Sequence, residues 1–105
     1  MLGELDKKYQ LAIDAEAKKV SLGNLDELKS LQPISNHRFE FDGESFLACI
    51  HYFPNDLNPD YPYHSIVLKE TRKLALGHRN YLAGFSFDDS NKVLPISSDL
   101  LYSCD

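Results

Sequence analysis

Two histidines and a cysteine are the side chains of this chain best suited to chemistry. Cys49 and His51 stand two residues apart in an alternating stretch, so a strand puts them on one face, and His64 opens the next run rich in branched residues. With Tyr52 set opposite Tyr63, His51 lies opposite His64, and Cys49 with Ile66 forms the next pair on that face. Two imidazoles and a thiol then converge at one sheet end. Nitrogen and sulfur donors so placed suit zinc or copper, which makes Cys49, His51 and His64 the candidate metal ligands. The imidazole pair alone suits acid–base work. Against both readings, no fourth ligand is visible and strand histidines are commonly hydrogen-bonded edge residues, so no metal or cofactor is expected.

A second candidate surrounds the same strand end. Tyr52, Phe53, Tyr61 and Tyr63 flank a segment stiffened by prolines, PNDLNPDYP from Pro54 to Pro62. Aromatic rings on a stiff loop form ligand pockets or protein-binding hot spots, and they also serve simply to anchor a long loop. A third candidate is the basic group Lys69, Arg72, Lys73, His78 and Arg79, suited to an acidic or phosphorylated partner or to a solvated face. Common catalytic and cofactor signatures are missing: there is no phosphate-binding loop, G-x-S-x-G elbow, H-E-x-x-H, EF-hand loop or dinucleotide fingerprint.

These residues need elements to hold them. The pairing most easily read from the letters is Arg38 to Tyr52, where Asp42-Gly43 is a two-residue hairpin turn. Pairing across it sets Phe41 opposite Glu44, Phe39 opposite Phe46 and His37 opposite Ala48, with the same apolar face continuing through Ile50 and Tyr52. Before it, Leu2 to Val20 reads as an amphipathic helix with Leu2, Leu5, Tyr9, Ala12, Ile13, Ala17 and Val20 on one side, closed by Gly23. Glu4–Lys8 and Asp14–Lys18 are favourable pairs on its wet side. Asn24 caps a second short helix that Pro33 stops, and residues 32–36 are a connector.

Tyr63 to Glu70 and Asn80 to Phe87 read as strands, and Thr71 to Gly77 as either a helical turn or a bulged extension of the strand before it. Lys92 to Ile96 returns with Phe85 opposite Leu94 and Ala83 opposite Ile96, at a sheet edge because Pro95 lacks a donor. Ser98 and Asp99 cap a terminal turn. The sum is an α+β fold: an N-terminal helix and a short second helix packed across an antiparallel meander of four to five strands, one domain over residues 1–105.

Composition narrows the function classes. The chain has 105 residues, 43% hydrophobic and 26% charged, with a net charge of −5. That charge disfavours nucleic acid, whose affinity rests on lysine and arginine. No apolar run spans a bilayer and no secretory leader is visible, so a cytoplasmic protein is expected. Cys49 and Cys104 form no redox or zinc motif. The expectation is a small noncatalytic binding or interaction protein, of accessory or immunity type, that acts through the Pro/Tyr loop and adjoining sheet end: Tyr52, Phe53, Tyr61, Tyr63, His51 and His64. Its partner is another protein or a second copy in a homodimer, with a small ligand also open. The alternative is a small-molecule-binding cone or small enzyme, with a histidine at the mouth of a pocket lined by Phe39, Phe46, Ile50 and Tyr81.

Overall fold

The Asp42-Gly43 pair turns the chain as its letters require. Both residues have positive φ, 51° and 78°, the mirror-image geometry that matches the twist of the strands on either side. The computed structural model describes residues 3–54 and 64–96. Around this turn β1 (Ile34–Phe41) and β2 (Glu44–Pro54) pair antiparallel with Phe41 opposite Glu44, Phe39 opposite Phe46 and His37 opposite Ala48. This is the register the sequence implies. β1 begins earlier than expected, at Ile34, inside the stretch read as a connector.

β3 (His64–Lys73), β4 (His78–Phe87) and β5 (Val93–Pro95) complete a five-stranded antiparallel sheet in chain order, with β1 and β5 at its edges. Thr71 to Lys73 extends β3 as strand, and the reversal to β4 passes through Gly77 at φ 91°. Two registers differ from expectation. Tyr52 faces Ile66, three positions along from Tyr63, because the long connection leaves strand alignment to packing. Phe85 faces Pro95, one residue past Leu94, because five residues rather than four make the last turn: Asp88 Oδ1 accepts from the Ser90 and Lys92 amides, and Asn91 takes φ 64°.

α1 (Glu4–Ser21) contains neither glycine nor proline and carries Glu4 and Asp6 in its first turn and Lys18 and Lys19 in its last, each complementing the helix dipole. It lies mainly over β4, with β3 and β1 beside it. Ala12, Ile13 and Ala17 are buried against Phe39, Phe46, Ala48, Ile50, Leu68 and Ala83. Burying a side chain such as Ile13 contributes about 2 kcal/mol. Leu5, expected in this stripe, is 53% exposed; its neighbour Asp6 points inward instead, for reasons given below. Lys8 pairs with Glu44 on the hairpin rather than with Glu4. α1 ends at Leu22 in right-handed geometry, so Gly23 does not supply the left-handed closure anticipated for it. Asn24 caps α2 (Leu25–Leu28) by accepting from the Asp26 and Glu27 amides. No helix among the described residues is long and apolar enough to cross a membrane. The expected terminal turn at Ser98 and Asp99 lies outside the described residues, as do Leu2 and Cys104.

One position shows how closely the central strands approach. A Cβ on Gly84 would stand 2.3 Å from the Ile66 carbonyl oxygen and 3.2 Å from the Val67 Cα, both backbone atoms. Gly84→Ala is therefore expected to destabilise the fold by about 2 kcal/mol or more, whereas Gly23→Ala, 3.4 Å from its nearest neighbour, should cost little. Urea unfolding of both variants checks this; equal midpoints would show that the β3–β4 approach is looser than described.

Candidate functional site

The strand end from which residues 55–63 depart is built around His64. It pairs with Pro54 across β2 and β3, so the two ends of that segment are held side by side. His64 is 8% exposed, and its ring lies against those of Phe87 and Tyr52, with centroids 5.1 and 6.1 Å away. Its Nδ1 is 2.9 Å from the Tyr52 hydroxyl and its Nε2 is 2.9 Å from Asp89 Oδ1. A carboxylate only accepts, so Nε2–H donates to Asp89, and in that tautomer Nδ1 accepts from the Tyr52 O–H. Burial, assisted by the Asp89 charge, pushes the Tyr52 hydroxyl up from its ordinary value and keeps it a donor. The Asp89 side chain is 71% exposed, so the chain of bonds runs from the core to solvent.

Strand parity separates the other residues proposed for this end. Tyr52 and His64 face the core. Cys49, His51 and Phe53 face the opposite side, where His51 stacks on Phe53 at 6.4 Å and Phe53 packs against Val67 and Leu82. His51 lies opposite Val67 and Cys49 opposite Lys69. The expected convergence of Cys49, His51 and His64 is thus overturned: a three-residue shift is odd and carries His64 to the other face. Among the described residues no group of three His, Cys, Asp or Glu side chains is arranged to hold a metal ion. Burial first, then the Lys69 charge, lowers the His51 pKa. Cys49 Sγ lies 3.9 Å from Asn36 Oδ1. Tyr61 and Tyr63 lie outside the described residues.

The basic group is divided as well. Arg72 Nη2 and Arg79 Nη1 reach the two Asp6 oxygens at 2.8 and 2.6 Å, Tyr81 donates to the same carboxylate, and Arg72 Nε donates to Tyr81 at 3.0 Å. Tyr9 stacks on Tyr81 at 5.2 Å beneath the Arg72 guanidinium. This cluster fastens the first turn of α1 to the β3–β4 end, which is why Asp6 displaces Leu5 from the buried side. The Tyr81 hydrogen bond, joined by the Gly3 amide and the arginines, outweighs burial and holds the Asp6 carboxyl at about 2. On the same face, above β1, Glu16, also buried, meets His37 Nε2 at 2.5 Å.

Sequence reasoning missed Asp89 and the buried acids Asp6, Glu16 and Glu70. Helical spacing held a partial signal for the first, since Asp6 lies on the inward side between Leu2 and Tyr9. No family model matches the chain, and neither a curated protein nor a solved structure is significantly similar to it.

Glu70 faces the core opposite Tyr81, 4% exposed, and its Oε2 has no hydrogen-bond partner among the described residues. Burial raises its pKa from 4.5 to about 7. The folded state therefore favours the protonated acid: stability is full below about pH 4.5 and falls as pH rises toward 7, by up to about 3 kcal/mol. Asp6 acts oppositely, and its contribution is lost as pH falls from about 4 through 2. Denaturation followed from pH 4 to 8 should show this decline in the natural chain and not in Glu70→Gln. Parallel profiles for the two would contradict the assignment.

Proposed function

We propose that the chain is a noncatalytic binding protein that engages a protein partner through the sheet end built on His64 and the Pro/Tyr segment rooted there. The observation that carries this reading is the fixation of that root. Pro54 and His64 are adjacent across the strands, and His64 is held through both ring nitrogens while its ring stacks on Phe87. Residues 55–63 hold two prolines and two tyrosines, and both the prolines and a fixed base lower the entropic cost of engaging a partner.

Two further features support binding over catalysis. The four side chains expected to wall a pocket, Phe39, Phe46, Ile50 and Tyr81, are instead joined in one core cluster. Tyr9 from α1 meets Phe46 edge-on at 5.5 Å and stacks on Tyr81, while Phe39 stacks on Phe46 at 5.4 Å. Of the two histidines suited to acid–base work, His64 has both nitrogens occupied by its neighbours and His51 lies on the face away from that cluster. The net charge of −5 favours a partner with a basic surface, whose encounter is speeded by charge complementarity.

Tyr61→Ala combined with Tyr63→Ala tests the reading. The double variant should melt within a few degrees of the natural chain and lose roughly tenfold or more in affinity for the partner recovered with the natural chain, as hot-spot tyrosines do. A large loss of melting temperature would instead assign the two rings to packing the segment onto the sheet, and unchanged affinity would remove this end from the interface.

A further inference from the structure

The two edges of the sheet are unequal. β5 is a three-residue strand containing Pro95, which cannot donate to a ladder, whereas β1 runs from Ile34 to Phe41 without proline. The type I′ turn decides which backbone groups of β1 are spare. Residues flanking a two-residue turn exchange both of their bonds, and the pattern alternates from there. Phe41, Phe39, His37 and Ser35 therefore bond to β2. The Tyr52 amide donating to the Pro33 carbonyl at 2.9 Å continues the same alternation. Ile34, Asn36, Arg38 and Glu40 direct their N–H and C=O groups away from the sheet, and the side chains of all four are exposed.

We infer that β1 pairs with β1 of a second copy of this chain, antiparallel about a two-fold axis at Phe39, to form a continuous ten-stranded sheet. A two-fold perpendicular to the sheet preserves its faces, so only registers that pair even positions with even and odd with odd are open. Of these, the register centred on Phe39 sets Arg38 opposite the partner's Glu40, and Glu40 opposite the partner's Arg38. Two opposite-charge pairs form on the outer face between groups that, among the described residues, enter no ion pair within the chain. Both positions carry outward backbone groups, so both pairs are hydrogen-bonded ones. On the core face Phe39 meets its own copy and half-buried Phe41 meets the partner's His37. Centring on Arg38 would oppose two arginines, and centring on His37 would set Glu40 against the partner's Ile34; neither matches charge. This inference goes beyond the function proposed above and does not use the His64 end.

Charge swaps test it by sedimentation equilibrium at low salt. The natural chain should sediment as a dimer. Arg38→Glu and Glu40→Arg should each weaken association roughly tenfold or more, since each turns both attractive pairs into repulsive ones. An equimolar mixture of the two should associate as a heterodimer, because one chain then presents only acids and the other only bases. The double swap Arg38→Glu/Glu40→Arg restores both pairs within one chain and should dimerise like the natural protein, which also covers the case in which a single variant fails to fold. A monomeric natural chain, dimers of Glu40→Arg as tight as the natural ones, or a mixture that stays monomeric would each overturn the inference.

Discussion

The parity of the β1–β2 hairpin is the constraint on which the rest of this structure depends. Because Asp42 and Gly43 both accept positive φ, the reversal takes two residues, and every pair from Phe41–Glu44 to Ile34–His51 is then determined. That single count puts Phe39, Phe46, Ala48, Ile50 and Tyr52 on the face covered by α1. It places Arg38, Glu40, Leu47 and Cys49 on the other face, and it decides which amides of β1 are left without a neighbour. A slip of one residue would exchange the two faces and bring charge into the core.

On this frame the helix is held by polar as well as apolar contacts. Ala12, Ile13 and Ala17 supply buried surface without direction, whereas Asp6 with Arg72, Arg79 and Tyr81 at one end, and Glu16 with His37 at the other, fix the helix's position along the sheet. Buried carboxylates are stable only where donors converge on them, and Asp6 has four. Glu70 shows the converse, since an orphaned oxygen in the same core is tolerated at the cost of ionisation. The two acids pull the stability profile in opposite directions.

The α+β order, the hairpin register, the α2 cap and the proline-bearing edge strand were legible in the letters, because each is dictated by residues a few positions apart. What was not legible depended on closure of longer segments. Between Tyr52 and His64 nothing local sets the alignment, so the choice between Tyr63 and Ile66 as partner of Tyr52 fell to packing, and with it the face on which His64 lies. The same shift replaces a supposed cluster of Cys49, His51 and His64 by the chain Tyr52–His64–Asp89, whose last member comes from a turn after β4 and is invisible to spacing. Asp6 and Glu16 read as solvated charges in a linear pattern, since their partners lie far away in sequence, and nothing local marks Glu70 as buried. In physical terms, short turns encode register and long-range ion pairs do not.

The proposed binding end and the free edge are separate consequences of one meander. At one end of β2 the strands grip His64 and present a stiff root for the Pro/Tyr segment; along β1 the same alternation leaves a row of unused amides bracketed by opposite charges. The claim common to both is the hairpin's parity, and residue-resolved amide exchange by NMR tests it most directly. At every concentration the His37, Phe39 and Phe41 amides should exchange slowly, while those of Arg38 and Glu40 should exchange fast in dilute solution and slowly in concentrated solution. Fast exchange at Phe39 with slow exchange at Arg38 in dilute solution would contradict the parity and everything built on it.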